Sequence, residues 1–302
     1  MKPITSFQDL TSYLKGQGCR KRVAVVCPYD KNTRDACLRA LEDGFADLLL
    51  VGDPDTISED ARFKEFSDRV TVIAADSCDD AAAKAVALVK SGEANVLMKG
   101  LINTDNYLRA ILNKQTGILM PGSVLTHITA AQMPEHGRLL FFSDAAVIPF
   151  PTLEQRKAMV GYMAGVCRKF GIAVPRIALV HCSEKISEKF PVTIDYIKIK
   201  EMAASGMFGD AVVDGPMDVK TAFESEAADI KGIDSPIGGL ADALIFPDIE
   251  AGNAFYKTIT HFCHAENAGM ILGTPVPVVL PSRSDDADSK YYSMAAACLI
   301  SG

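Results

Sequence analysis

Short apolar runs recur along the chain, and each is followed by a turn and a stretch whose apolar positions have helical spacing. The runs lie at residues 23–27, 47–51, 70–73, 94–98, 138–142, 177–180, 211–213, 243–246 and 276–280. Because they are continuously apolar rather than alternating, they predict strands buried on both faces, as in a mostly parallel sheet. Strands alternating with helices predict a doubly wound α/β fold, in which ligands bind beyond the carboxyl ends of the strands.

Helix start and stop signals fill the gaps between these runs. The spacing predicts helices over residues 79–92, 104–117, 152–171 and 284–300. Thr104 is the expected cap of the second helix and Gly117 its terminating residue, and Thr152 and Gln155 match the capping box. The change at residues 150–152 predicts a first domain of residues 1–147 and 284–302 and a second domain of residues 148–283.

Length and composition narrow the class of protein. At about 150 residues per domain, 302 residues fit two domains. The 31 Lys and Arg against 38 Asp and Glu give a formal net charge of −7, which lacks the basic footprint of a nucleic-acid-binding protein. The 48% of hydrophobic residues excludes a disordered chain.

The N-terminal residues, the apolar runs and the spacing of the cysteines indicate the cellular location. Residues 1–22 lack the apolar segment of a signal peptide. The most apolar stretch, residues 268–280, is too short to span a membrane and is broken by Gly and Pro. The eight cysteines are scattered without a C-x-x-C pair, as in a reduced compartment. We therefore predict a cytoplasmic protein with no membrane partner.

The clearest chemical motif follows the last apolar run, at residues 278–290. The strand stops at Pro281, and a helix opens near Ser284 with acidic residues in its first turn. A Ser hydroxyl, the Arg283 guanidinium and free helix N–H groups make a ready anion site. An equally simple interpretation is that Ser284 only caps the helix and Arg283 forms a surface ion pair.

Two further strand ends carry candidate groups. Lys99 and Gly100 offer a mobile charge and a close backbone approach to a ligand. A helix starting near Asp248 places Asn253 and Lys257 four residues apart on one face. Ordinary strand ends and a capped surface helix explain the same residues without function. The His261-Phe262-Cys263-His264 segment lacks a complementary ligand pair, so we expect no metal there.

Taken in order, these strand-end motifs resemble the phosphate acetyl/butyryltransferase family. The motifs are Met98-Lys99-Gly100 with Asn103-Thr104, Gly122-Ser123-Val124, Ser143-Asp144-Ala145-Ala146, Asp214-Gly215-Pro216, Asp248-Ile249-Glu250-Ala251-Gly252-Asn253 with Tyr256-Lys257, and Ser282-Arg283. Each alone is modestly specific, whereas the ordered set covers nearly the whole chain.

The resemblance implies reversible transfer of a butyryl, branched-chain or acetyl group between coenzyme A and inorganic phosphate. Coenzyme A is then a substrate, with no other cofactor. The resemblance also implies two α/β domains of the isocitrate/isopropylmalate dehydrogenase type, a site in the cleft between them, and a homodimer. The chain length favours the butyryl branch, whereas residues 150–155 are closer to the acetyl branch, so the acyl chain stays open.

The family's functional residues carry over by motif. Ser282 and Arg283 match residues that bind phosphate and stabilise developing negative charge. Contacts to coenzyme A or to the cleft are implied for Lys99, Asn103, Thr104, Ser123, Asp214, Asn253, Tyr256, Lys257 and Ser289.

The residue that accepts the coenzyme A thiol proton in acetyl-type relatives differs in this sequence. Acetyl-type relatives carry a catalytic Asp at the position of Ser289, and Asp288 comes directly before it. One residue on a helix is a rotation of about 100°. Either Asp288 accepts the coenzyme A thiol proton, or the base is absent and phosphate accepts it.

Two other functions are weighed against this one. A metal- and nicotinamide-dependent decarboxylating dehydrogenase of the same fold needs clustered aspartates and an Arg-rich loop, and the sequence shows neither. A non-catalytic acyl-coenzyme A-binding relative stays open because of Ser289.

Overall fold

The computed structural model describes residues 2–282 and 285–302. The strands are β1 (Lys21–Val26), β2 (Ala46–Gly52), β3 (Val70–Ala74), β4 (Val96–Lys99), β5 (Thr126–Gln132), β6 (Leu139–Ser143), β7 (Arg176–Val180), β8 (Val212–Met217), β9 (Ala243–Ile245), β10 (Glu266–Leu272) and β11 (Val278–Val279). The helices are α1 (Phe7–Gln17), α2 (Lys31–Glu42), α3 (Pro54–Ser58), α4 (Cys78–Lys90), α5 (Thr104–Ile111), α6 (Leu153–Lys169), α7 (Pro191–Ala204), α8 (Val219–Phe223), α9 (Ser225–Lys231), α10 (Ile249–Phe262) and α11 (Ala287–Ile300), with a 3-10 helix at Ala61–Phe66. Every apolar run of the sequence overlaps a strand, which confirms the predicted α/β class.

The chain divides into two compact units. The central unit consists of Met1–Thr5 and Val124–Ala265, and the terminal unit consists of Ser6–Ser123 and Glu266–Gly302. The domains predicted from the sequence change instead after residues 147 and 283. The difference arises because β5 pairs with β6 in the central unit and β10 pairs with β11 in the terminal unit. The apolar pattern predicts neither β5 nor β10.

In the terminal unit the strand order is β3-β2-β1-β4-β11-β10. All neighbouring pairs in this order are parallel except the last. Strand β10 runs antiparallel to β11, with Ile271 opposite Val278. Helix α11 packs against β10 and α2 and buries Tyr291, Met294 and Cys298.

In the central unit the strand order is β5-β6-β9-β7-β8. Strand β5 is antiparallel to β6, and the remaining pairs are parallel. The core forms around Phe142, whose ring centroid lies 5.3 Å from that of Phe255 and 6.3 Å from that of Phe246. The predominance of parallel pairs in both units confirms the sheet type predicted from the continuous apolar runs.

Helix boundaries are partly as predicted. Thr152 and Gln155 form the capping box of α6. Helix α5 ends at Ile111 rather than at Gly117, because the Asn113 side chain accepts hydrogen bonds from the next amides and forms a turn there. Helix α11 begins at Ala287 rather than at residue 284, with Asp286 as its N-cap. Within the described residues, no helix combines the length and apolar character needed to cross a membrane.

Candidate functional site

The loop after β6 is organised around the Asp144 carboxylate, which is 1% exposed. One oxygen accepts hydrogen bonds from the Thr126 hydroxyl at 2.8 Å and the His127 amide at 2.9 Å. The other accepts from the Ala146 amide at 2.8 Å and the Val147 amide at 2.9 Å. Four donors therefore hold this carboxylate, and it stabilises the loop against β5.

Helix α10 packs directly on this loop. Asp248 caps the helix by accepting a hydrogen bond from the Ala251 amide at 2.9 Å, as the sequence predicts. A Cβ atom on Gly252 would lie 2.1 Å from the Asp144 carbonyl oxygen, so only glycine permits this approach. The Asn253 side-chain amide donates to the Ala145 carbonyl oxygen at 3.0 Å. Gly252 and Asn253 thus join α10 to the loop.

Two other predicted groups follow on the same helix. Tyr256 is half-buried and Lys257 is exposed, and the Lys257 Nζ atom lies 4.6 Å from the centre of the Tyr256 ring. At this distance a cation is attracted to the face of the ring. Helix α10 therefore presents an aromatic surface with a positive charge beside it.

Arg156 supports the start of α10 from the buried side of α6. Its guanidinium donates to the Pro247 carbonyl oxygen at 2.8 Å, and its Nε atom lies 3.7 Å from Asp195. Burial lowers the pKa of Arg156 from its usual value. Sequence reasoning missed this residue, although Arg156 shares the helical stripe of Met159 and Met163, where a buried charge signals a special role.

Asp214 lies elsewhere in the central unit, at the β8 edge of the sheet. Its carboxylate is buried and forms an ion pair with Lys200 of α7. Both side chains line a cavity of about 600 Å³ whose walls include Ile186 and Ile197. The structure accounts for Asp214 by this ion pair, and its contact with a substrate stays a prediction.

In the terminal unit, Lys99 and Gly100 end β4. Lys99 is 2% exposed and donates to the Gly100 carbonyl oxygen at 3.4 Å. The expected mobile charge is therefore buried. A Cβ atom on Gly100 would lie 2.4 Å from the Cys27 carbonyl oxygen, so the close approach that glycine permits is to the end of β1 rather than to a ligand.

Three more predicted residues lie on the surface of this unit. Asn103 occupies the N-cap position of α5 without a capping hydrogen bond from its side chain, and Thr104 is the exposed first residue of that helix. Ser123 is half-buried, and its amide donates to the Met120 carbonyl oxygen at 3.0 Å in a turn. Their roles in binding remain predictions.

The strongest sequence motif lies between β11 and α11. Ser282 is exposed, and its amide donates to the Asp285 carboxylate at 2.8 Å. Arg283 and Ser284 lie outside the described residues. Asp286 accepts a hydrogen bond from the Ser289 amide at 2.8 Å. The Ser289 amide is thus already bonded to a side-chain carboxylate that caps this turn, and the anion site expected at Ser282, Arg283 and the neighbouring helix amides stays a prediction.

Asp288 is 60% exposed and lies 2.5 Å from the Arg39 guanidinium of α2. Arg39 in turn stacks on the Tyr291 ring at 3.9 Å from its centre. The Ser289 hydroxyl accepts from the Asn267 side-chain amide at 3.5 Å. Asp288 and Ser289 therefore have different neighbours, as the rotation between successive helix positions requires.

The Lys290 side chain joins the start of α11 to the start of α2. Its buried ammonium group lies 2.8 Å from Asp30 and 3.0 Å from the Thr33 hydroxyl. Burial alone would raise the pKa of Asp30, but the hydrogen bonds that its carboxylate accepts from Lys290 and from the Thr33 hydroxyl and amide lower it. Sequence reasoning missed this pair, although Lys290 precedes a run of apolar helix positions.

Glu266, the first residue of β10, is a further carboxylate that sequence reasoning missed. Partial desolvation raises the pKa of Glu266, as do the nearby Asp288 and Asp286 carboxylates, with Arg39 opposing them. A carboxylate with an elevated pKa beside a candidate anion-binding motif is a candidate acid or base.

The structure thus gathers the predicted residues into groups. Asp288 and Ser289 lie in the first turn of α11, Ser282 lies in the segment that precedes this helix, and Asn253, Tyr256 and Lys257 lie on α10. Lys99 is buried at the end of β4, and Asp214 belongs to the cavity beside α7.

Comparisons with known proteins match this arrangement to one family. The profile of the family described as phosphate acetyl/butaryl transferase matches residues 64–298. A phosphate butyryltransferase from Clostridium acetobutylicum is 36% identical over 300 residues, which covers 99% of this chain and 99% of that protein. A phosphate acetyltransferase from Rhizobium meliloti is 34% identical over 276 residues, covering 91% and 87% of the two chains.

Solved structures give the same result. A branched-chain phosphotransacylase from Enterococcus faecalis V583 has a TM-score of 0.79 and 28% identity, covering 93% of this chain and 98% of that one. A 4-hydroxythreonine-4-phosphate dehydrogenase from Klebsiella pneumoniae has a TM-score of 0.52 and 11% identity, covering 93% and 100%. The second likeness concerns the fold alone and confirms the predicted dehydrogenase-like fold.

Proposed function

Because this chain belongs to the phosphate acetyl/butaryl transferase family and is a phosphate acyltransferase, we propose that its preferred acyl donor is a butyryl- or branched-chain acyl-coenzyme A. The acceptor is inorganic phosphate, and the products are an acyl phosphate and free coenzyme A. The observation that carries the proposal is the match to a phosphate butyryltransferase along nearly the whole of both chains.

The reaction needs an anion site next to a thioester carbonyl. Phosphate attacks the carbonyl carbon, negative charge develops on the carbonyl oxygen, and coenzyme A leaves as a thiolate. Ser282 and Arg283 are the groups proposed to bind phosphate and stabilise that charge. The exposed Ser282, three residues beyond the end of β11, supports this assignment, since ligands of doubly wound sheets bind beyond strand carboxyl ends.

Helix α10 supplies the groups proposed for coenzyme A. The exposed Lys257 ammonium suits a phosphate of the nucleotide portion, and the neighbouring Tyr256 ring lies beneath that ammonium group. Asn253 is already bonded to Ala145, so we assign it to holding the helix in place. Lys99, Asn103, Thr104 and Ser123 remain proposed contacts in the terminal unit.

A panel of acyl-coenzyme A substrates tests the proposal. The protein is mixed with phosphate and with acetyl-, butyryl- or isobutyryl-coenzyme A, and release of free thiol is followed. We expect phosphate-dependent release with kcat/KM highest for the butyryl or branched substrate. A higher value for acetyl-coenzyme A would identify an acetyltransferase instead, and no release with any substrate would refute the activity.

We also propose the cofactor use, the oligomeric state and the cellular compartment of this protein. Acyl transfer changes no oxidation state, so we propose that no cofactor is needed beyond coenzyme A as substrate. The panel run with a chelator present tests this. A homodimer is proposed from the family resemblance and is tested by light scattering after gel filtration. A cytoplasmic location is proposed from the cysteine spacing.

A further inference from the structure

Glu266 lies at the sheet edge that carries the Ser282 motif. Strand β10 runs antiparallel to β11, with Ile271 opposite Val278, so the start of β10 lies where β11 ends. The neighbouring Asn267 reaches the Ser289 hydroxyl in the first turn of α11 at 3.5 Å. This geometry brings the first residue of β10 beside the first turn of α11.

The other carboxylates at this edge are already engaged. Asp285 accepts the Ser282 amide, Asp286 caps α11, and Asp288 is paired with Arg39. The Glu266 side chain forms no hydrogen bond or ion pair with any residue in the ranges 2–282 and 285–302. Each of the other three carboxylates has an oxygen bonded to the protein, whereas both Glu266 oxygens are available to a substrate.

The charges around Glu266 tune its proton affinity. Asp286 and Asp288 of α11 repel its charged form, and Arg39 of α2 stabilises it. The Tyr292 hydroxyl of α11 also faces it. Together with partial desolvation, the two aspartates raise the pKa of Glu266 above the usual value for a glutamate. A carboxylate tuned in this direction binds a proton more tightly than an ordinary glutamate, which favours it as a proton acceptor.

Formation of acyl-coenzyme A from acyl phosphate requires such an acceptor. The thiol must lose its proton as the sulfur bonds to the acyl carbon, and the bond from that carbon to the phosphate oxygen breaks to release inorganic phosphate. We propose that the Glu266 carboxylate accepts the thiol proton in this direction and returns it to the departing coenzyme A sulfur in the other. This inference rests on the proposed function.

Replacing the carboxylate tests the proposal. In Glu266→Gln, we expect kcat for acyl phosphate plus coenzyme A to fall by about a hundredfold, the lower end of the range for general base catalysis. The acid limb of the pH–rate profile should disappear, because the group assigned to that limb has been replaced by an amide that does not titrate. Glu188→Gln, an exposed glutamate of the central unit, is the matched control and should retain the wild-type profile.

A second variant separates catalysis from folding. Asp286→Asn keeps a good N-cap residue for α11 but removes one negative charge beside Glu266. The pKa of Glu266 should fall, and the acid limb should move to lower pH with the plateau kcat retained. A residue with a purely structural role would not shift the limb in this way.

Three outcomes overturn the proposal. If Asp288→Asn, and not Glu266→Gln, removes the acid limb, Asp288 is the base. If both variants keep the wild-type limb, phosphate or solvent accepts the proton. If the wild-type protein releases no thiol with any acyl-coenzyme A, the proposed function fails and the role of Glu266 fails with it. In the first two outcomes the wild type is active, so the two failures are distinguishable.

Discussion

Two regions of the molecule place a carboxylate at one end of a strand: Asp144 follows the end of β6, and Glu266 lies at the start of β10, beside the entry to α11 (residues 285–289). The two carboxylates differ in the number of hydrogen bonds that they receive from the protein. Asp144 receives four hydrogen bonds from the protein itself. Glu266 receives none from the described residues and faces two like charges. The first arrangement fixes a loop, whereas the second leaves a proton-accepting group for a substrate.

The physical reason lies in what burial demands. A buried carboxylate is tolerated only when donors replace its lost water, so full satisfaction indicates a structural role. Crowded carboxylates at a solvent-accessible edge destabilise the charged state of one another. Both regions carry polar motifs in the sequence. The number of hydrogen-bond donors around each carboxylate oxygen distinguishes a structural carboxylate from a candidate catalytic one.

The largest expected effect is on the Asp144 loop. Asp144→Ala leaves the Thr126 hydroxyl and three amides without their acceptor in a buried position, and we expect a loss of about 4 kcal/mol in the free energy of unfolding. Urea denaturation measures it. A loss below about 1 kcal/mol would mean that water replaces the carboxylate and that the loop is not a rigid scaffold.

Next in size is the loss of the Arg283 guanidinium. Arg283→Ala should lower kcat/KM by at least about a hundredfold, because removal of one donor that stabilises developing charge has this effect. That factor corresponds to about 2.7 kcal/mol of transition-state stabilisation. A lower kcat/KM in steady-state kinetics, together with an unchanged melting temperature, would show that the substitution affects the reaction rather than folding. Near-normal kinetics would remove Arg283 from the reaction.

The next largest effect on stability is expected at the contact between α10 and the Asp144 loop. Gly252→Ala introduces a methyl group 2.1 Å from a backbone oxygen, and we expect a loss of about 2 kcal/mol from overpacking.

The matched control is Gly165→Ala in α6, where nothing lies within 4 Å of the new Cβ atom. That change should stabilise the protein by up to about 1 kcal/mol, the helix preference for alanine over glycine. Equal effects of the two substitutions in urea denaturation would show that α10 can move away from the loop.

The smallest expected effect on stability is at Asp288. Its ion pair with Arg39 is 60% exposed on the carboxylate side, and exposed pairs contribute little. Asp288→Asn should change the free energy of unfolding by less than about 0.5 kcal/mol. A loss as large as that of Asp144→Ala would show that the α11 entry is also held as a scaffold, which would erase the contrast between the two regions.

Much of the fold is predictable from the sequence because the core strands are continuously apolar. Strands β5 and β10 are not predicted by the apolar pattern. The segment THITAAQ has only one large apolar residue. The segment ENAGMIL begins with polar and small residues, and its apolar end leads directly into the stretch broken by Gly273 and Pro275. Such segments form strands only because neighbouring strands complete their hydrogen bonds. The boundaries of the two compact units depend on these same strands.

The site is predictable in its parts but not in its arrangement. The motifs predict Ser282, Arg283 and the α10 residues as site residues. The capping residues Thr152 and Asp248 are confirmed, whereas the expected cap Thr104 is wrong, because Asn103 occupies the N-cap position of α5. The close approach at Gly100 is to backbone rather than to a ligand, which no sequence pattern distinguishes. Glu266, Arg156 and Lys290 acquire their environments from residues distant in sequence, so spacing alone gives no signal for their partners.

The sequence by itself determined the α/β class, the parallel strands and the family, because apolar runs and ordered strand-end motifs are local properties of the chain. The tertiary structure decided which polar groups are engaged and which remain available. It buried Lys99, bonded Asn253 to Ala145, paired Asp288 with Arg39 and left Glu266 among like charges. Hydrogen bonding and electrostatics depend on distances through space, and those distances exist only once the strands and helices have packed.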